Sequence, residues 1–138
     1  MNVEFLAGVA VVAADPPESR RLYVDALGLP LESQGGSDYF ASGSIDGCKH
    51  FGVWPLSEAA QACFGTAEWP ADRPVPQVSL EFEQRDVAAV HAAAQELEAA
   101  GYSLLHPARQ EPWGQTIARL LSAEGSIVGL SYTPGLRD

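Results

Sequence analysis

Val9-Ala10-Val11-Val12-Ala13-Ala14-Asp15-Pro16 decides the fold, because its grammar returns as Val78-Ser79-Leu80-Glu81-Phe82-Glu83, with Asp86 soon after. The first stretch is a short valine-rich run, the pattern of a buried strand. Asp15 is suited to cap a helix, and Pro16 fits the first helical position, where a missing N–H costs nothing. That helix is expected to run through residues 20–27, with Leu22, Tyr23, Ala26 and Leu27 on one side. Gly28 then ends it in the left-handed conformation. In the second stretch apolar and polar residues alternate, as in a strand covered on one face. Asp86 caps a helix through Val87, Val90, Ala94, Leu97 and Ala100, and Gly101 ends it.

Asp15 and Asp86 lie 71 residues apart, and Gly28 and Gly101 lie 73 apart. The chain therefore repeats itself once, with a loop-sized indel. Three strand candidates follow each glycine. In the first half they are residues 29–33, 38–45 and 49–54; in the second they are 102–106, 115–121 and 126–132. Asp46-Gly47 and Glu124-Gly125 are hairpin signals before each final strand. Residues 57–64 read as a short helix capped by Ser57 and ended by Gly65. Residues 66–76 read as an extended linker that carries Trp69.

The expected class is α+β: tandem βαβββ modules forming a curved mixed sheet around a cavity. The expected boundaries are 1–56 for the first module, 57–76 for the short helix and linker, and 77–138 for the second module, together one compact domain. A sheet covered by a helix on one face leaves the other face bare. Two such sheets joined edge to edge enclose a hollow, and hollows are where small molecules bind.

Composition narrows the function. The chain is 46% hydrophobic, an ordinary globular value. A net charge of −10 argues against nucleic acid and anionic membrane as partners. No apolar run approaches the roughly 20 residues needed to span a bilayer. Residues 1–17 contain Glu4 and lack a basic start, so they read as a strand rather than a signal peptide, which makes the cytoplasm the expected location. Cys48 and Cys63 have no zinc-type spacing and read as free thiols.

Asp15, Tyr23, Ala26-Leu27-Gly28-Leu29, Glu111-Pro112-Trp113-Gly114-Gln115 and the run from Ser122 to Leu130 occur in the order seen in one family. The chain resembles the vicinal oxygen chelate superfamily, the group of glyoxalases, bleomycin-resistance proteins and extradiol dioxygenases, over about residues 3–134. The resemblance implies the tandem βαβββ fold and commonly a homodimer. It also implies metal ligands at four positions, which here fall on Gly8 and Ser79 and near Gly52 and Gly129. Glycine offers no side-chain donor and serine is a poor ligand for a divalent ion. No metal and no other cofactor is therefore expected.

Organic contacts then come forward. Trp54, Trp69 and Trp113 are the chain's three tryptophans, and none lies mid-core by pattern. A tryptophan on a cavity rim offers a flat apolar face and one N–H donor. His50 shares a strand face with Gly52 and Trp54, and Glu81 and Glu83 share the face of Ser79. Gln115 and Glu111 flank Trp113. The expected ligand-binding residues are His50, Trp54, Trp69, Glu81, Trp113 and Gln115. His91 is expected on the outside of its helix, and His106 is given no role.

The leading expectation is a metal-free protein that binds a small molecule, sequestering a bulky aromatic or cationic ligand such as an antibiotic. One alternative is an enzyme on the same scaffold: a metal-dependent lyase or dioxygenase with shifted ligands such as His50 and Glu81, or a cofactor-free isomerase with His50 as base. The other is an interaction module with a vestigial pocket.

Overall fold

The computed structural model describes residues 1–136. Eight strands form one mixed sheet, curved and unclosed, in the order β2-β3-β4-β1-β5-β8-β7-β6. They are β1 (Phe5–Ala13), β2 (Glu32–Ser33), β3 (Phe40–Ser42), β4 (Phe51–Pro55), β5 (Val78–Glu83), β6 (His106–Gln110), β7 (Thr116–Leu121) and β8 (Ile127–Tyr132). The two halves follow the same plan. β1 pairs parallel with β4, and β5 pairs parallel with β8, while the outer strands of each half are antiparallel. β1 and β5 pair antiparallel within the one chain and join the halves, with Gly8 opposite Glu81 and Ala10 opposite Ser79.

Three apolar clusters hold this sheet. On the convex side of the first half, Ala13, Leu31 and Val53 pack with Tyr23, Val24 and Phe51. On the second half, α3 (Val87–Ala99) lays Ala93 against Leu120 and Leu130. The third cluster lies across the concave side. There Ala59 and Cys63 of α2 (Leu56–Phe64) meet Ile127, Val12 and Trp54. α2 therefore stoppers one end of the hollow rather than covering the outside.

Asp15 and Asp86 cap as read: their carboxylates accept from the N–H groups of Glu18 and Ala89. Four expectations need correction. α1 (Pro16–Arg20) passes into a π-helical turn over Arg21–Ala26, where the Leu27 N–H donates to the Leu22 carbonyl. The wider coil changes which side chains face inward. Tyr23 and Val24 pack on the sheet, while Leu22 and Leu27 are exposed. Second, α2 begins after Pro55, and Ser57 makes no capping bond. Third, the strand expected at 102–106 lies at His106–Gln110. Tyr102 instead bonds back to the Leu97 carbonyl as the helix ends, and Leu104 and Leu105 turn into the cores. Fourth, the strands expected at 29–33 and 38–45 shrink to short pieces around a turn at Gly35 and Gly36.

That turn swings Tyr39 over the concave face. A Cβ built on Gly52 would lie 2.5 Å from Tyr39 Cε1, whereas one on Gly8 would meet His50 and Glu81 at ordinary distances of 3.7 and 3.8 Å. Gly52→Ala should therefore destabilise the protein by about 1–3 kcal/mol through overpacking. Gly8→Ala should stay within about 0.5 kcal/mol of the parent. Urea unfolding of the two variants side by side checks this.

Candidate functional site

The hollow encloses a cavity of about 520 Å³ at the junction of the two halves. Its floor follows from register. Pairing aligns Gly8 with Glu81, Glu81 with Gly129, Gly129 with Arg119, and Arg119 with His106. His50 continues the row beside Gly8, since its carbonyl accepts from the Val9 N–H and Val9 aligns with Phe51. Side chains of directly paired residues share a face. A belt of His50, Glu81, Arg119 and His106 therefore crosses the concave side, with glycines between.

The first polar cluster lies at the junction of the halves. Tyr39 Oη and His50 Nε2 are 2.6 Å apart. Burial, and then the charges of Glu81 and Glu58, push the Tyr39 phenol well above its usual range. Burial lowers the His50 pKa, against an opposing pull from Glu81. With both groups neutral, a single O–H···N or N–H···O hydrogen bond joins them, its direction set by which ring nitrogen carries the imidazole proton. Glu81 Oε1 accepts from Gln115 Nε2 at 2.8 Å, and Gln115 Oε1 accepts from the indole N–H of Trp113 at 2.9 Å. Gln115 also donates to Thr133 at 3.0 Å. Trp113, 61% exposed at the rim, is thus tied to the carboxylate on the floor. Glu81 Oε2 makes no hydrogen bond to the described residues.

The second cluster is deeper. Arg119 Nη1 donates to Glu111 Oε1 at 3.1 Å, to His106 Nε2 at 3.1 Å and to the Ala62 carbonyl at 3.4 Å. Arg109 Nε reaches the same Glu111 oxygen at 2.9 Å. Burial opposes ionisation of Glu111, but hydrogen bonds and charge from the two guanidiniums outweigh it and hold the carboxyl below its usual range. Cys63 lies nearby, and burial pushes its thiol up to about 11 despite both arginines. It is a packing residue, not a nucleophile.

Of the six expected binding residues, the fold brings His50, Trp54, Glu81, Trp113 and Gln115 to the cavity. Trp69 is elsewhere. It packs edge-on against Phe64 at 4.9 Å, donates to the Pro74 carbonyl and lines a separate shallow depression beside Pro55. Glu83 lies on the Glu81 side of β5 but is fully buried, accepting from Ser131 and from the Thr133 N–H. Tyr39, Glu58 and Arg119 line the cavity without having been singled out in the sequence. Arg119 could have been found: it is a lone charge in the otherwise apolar Ile117–Leu121 run.

The donor set that the resemblance implies for a divalent ion is missing. Two of the four positions are not merely empty of donors but filled by neighbours: Tyr39 occupies the Cβ place of Gly52, and Ile117 that of Gly129, at 2.8 Å. His50 Nε2 is engaged by Tyr39. Among the described residues no three His, Cys, Asp or Glu side chains are grouped to hold a metal ion. The residues present do not fit the metal.

Two βαβββ halves around one pocket define the vicinal oxygen chelate class of protein. The family model for the glyoxalase/bleomycin resistance protein/dioxygenase superfamily matches residues 6–127, and the chain belongs to that superfamily. Among solved structures, a superfamily member from Vibrio splendidus 12B01 is 14% identical with a TM-score of 0.58, covering 94% of this chain and 100% of its own. A methylmalonyl-CoA epimerase variant from Streptomyces coelicolor, in complex with 2-nitronate-propionyl-CoA, is 12% identical with a TM-score of 0.60 and 99% coverage of both chains. The 2,2',3-trihydroxybiphenyl 1,2-dioxygenase of Sphingomonas wittichii strain RW1 is 17% identical with a TM-score of 0.59, and the match covers 93% of this chain and 42% of that one. At these identities the likeness is one of fold. No curated protein matches the chain significantly. Among the described residues no helix is long and apolar enough to cross a membrane.

Two outcomes follow from the charges. Glu111→Gln leaves Arg119, 1% exposed, without its counter-ion, and should cost about 3–5 kcal/mol in chemical denaturation. His50 and His106 both titrate below the usual histidine value, chiefly because of burial. Below about pH 6.5 the unfolded chain then binds more protons than the native one, so stability falls as pH drops through that range. Melting midpoints at pH 7.5 and 5.5 should differ in the parent, and differ less in the His50→Gln/His106→Gln double variant.

Proposed function

We propose that the chain is a metal-free binding protein that captures a bulky aromatic or cationic small molecule, in the manner of an antibiotic-sequestering member of its superfamily. The observation that supports this best is the cavity of about 520 Å³, which has Trp54 and Trp113 on its walls and a carboxylate aimed into it from the floor. That volume suits a drug-sized ligand. Trp54 stands 6.3 Å from Tyr39, so the two rings offer an aromatic wall. Glu81 is held through Gln115, and its Oε2 is available to a cation or donor. Apolar burial and stacking supply affinity, and Glu81 supplies orientation. No donor set at the expected positions supports a metal, so capture rather than metal chemistry is the reading. The partners are the ligand and a second copy of the chain, since superfamily members commonly dimerise. The cytoplasm is the proposed location.

A second reading, a cofactor-free isomerase, is favoured by one observation: the 2.6 Å contact that sets a neutral imidazole beside Tyr39 in the cavity. In the tautomer whose Nε2–H donates to Tyr39 Oη, the lone pair of Nδ1 is free, and His50 would use it to move a proton on the bound molecule while Tyr39 orients the ring.

Titration with a cationic polycyclic dye such as 9-aminoacridine should quench the tryptophan emission, with a dissociation constant on the order of micromolar. Glu81→Gln should weaken binding by roughly tenfold, the scale of one charge-assisted hydrogen bond. Unchanged emission across a broad panel of polycyclic compounds would remove the capture reading. Solvent deuterium washed into a bound ligand by the parent but not by His50→Gln would favour the isomerase.

A further inference from the structure

We infer that the cavity has a second polar subsite, formed by Arg119, that takes an acidic or carbonyl oxygen, so that the captured molecule is amphoteric: cationic or donor-bearing toward Glu81 and anionic toward Arg119. This rests on the capture reading above and specifies its ligand.

Arg119 is 1% exposed yet lines the cavity. All of its hydrogen bonds leave from Nη1, toward Glu111, His106 and the Ala62 carbonyl. Nε and Nη2 have no hydrogen-bond partner among the described residues. A guanidinium carries five N–H donors in a rigid fork that matches a carboxylate, and a buried one with an open edge lacks part of its solvation.

The local charge also leaves room for an anion. Arg109 and Arg119 share one carboxylate, that of Glu111. His106 adds no charge. Its Nδ1 must donate to the Pro107 carbonyl at 2.7 Å, and its Nε2 must accept from Arg119, so the ring is neutral. The cluster thus carries a net +1 inside a chain of net −10. Arg109 keeps 41% of its side chain exposed and is solvated there, whereas Arg119 is buried and shares its one carboxylate, so a further anion beside Arg119 would offset part of its lost hydration.

Geometry separates the two subsites. Glu81 and Arg119 flank Gly129 on either side of β8, two strand spacings apart, or roughly 10 Å between backbones. Arg119 Cζ lies 5.9 Å from the Trp54 ring centroid, so a flat ligand stacked on that indole lies beside the guanidinium. A rigid aromatic with an ammonium at one end and a carboxylate at the other has the span required.

The test uses three probes on one skeleton: 2-naphthylmethylamine, 2-naphthoic acid and 6-(aminomethyl)-2-naphthoic acid. Each is titrated into the full-length ¹⁵N-labelled protein and followed by NMR. The amino acid should bind at least about tenfold more tightly than the amine, the scale of one charge-assisted contact. Both acids should shift the Arg119 Nε–H resonance, and the amine should not. In Arg119→Met the advantage of the amino acid over the amine should vanish while amine binding persists. Should that variant fail to fold, the comparison of the three probes on the parent decides alone. Equal affinity of amine and amino acid, with Arg119 Nε–H unmoved, overturns the subsite and leaves the capture reading standing. Failure of all three to bind overturns the amphoteric ligand, while the capture reading falls only if the polycyclic panel also leaves the emission unchanged.

Discussion

The antiparallel pairing of β1 with β5 is the joint on which the rest of the molecule depends. Each half alone is a small sheet with a helix on one face and a bare, partly polar face on the other. A bare face of that size is unstable in water and liable to associate. Joining the central strands edge to edge turns two bare faces into one hollow, and α2 plugs one end of it, its Ala59 and Cys63 packing in one cluster with Trp54 of β4. The joint also sets register, and register puts His50, Glu81, Arg119 and His106 in one line across six strands.

Polar groups inside a hollow need partners, and most of these have them. Glu83 is engaged by Ser131 and Thr133, Glu111 by two arginines, and His50 by Tyr39. What distinguishes Glu81 and Arg119 is that each is held on one edge only. One oxygen of Glu81 is bound by Gln115, and one nitrogen of Arg119 anchors its cluster. Second contacts of this kind fix a side chain's direction while leaving its other donors or acceptors for a guest.

Glycine at cavity-facing positions has two different consequences here. At Gly8 a methyl group would fit between His50 and Glu81 in ordinary van der Waals contact. At Gly52 and Gly129 the space is taken by Tyr39 and Ile117. The absence of side-chain donors at these two positions is therefore accompanied by close packing, which makes a metal ligand introduced there by single substitution sterically difficult. The scaffold is shared with dioxygenases and epimerases, but a scaffold does not determine the chemistry carried on it.

The duplication was legible in the sequence because it is written in local chemistry: Asp caps, glycines that end helices, and strand periodicity recurring about 71 residues apart. Alternation also told which side of a strand His50, Trp54 and Glu81 share, since period two is a property of the extended backbone itself. Other features were decided only by the tertiary structure. The π-helical turn rotates Leu22 and Leu27 outward, Trp69 serves the linker and the α2 core, and Tyr39 reaches the cavity from a loop with no periodic pattern. The Arg119 cluster gathers Ala62, His106, Arg109 and Glu111 from α2, β6 and the loop that follows β6. Spacing along the chain cannot reveal such a meeting, because it depends on how sheet curvature and register bring distant segments into one enclosed volume.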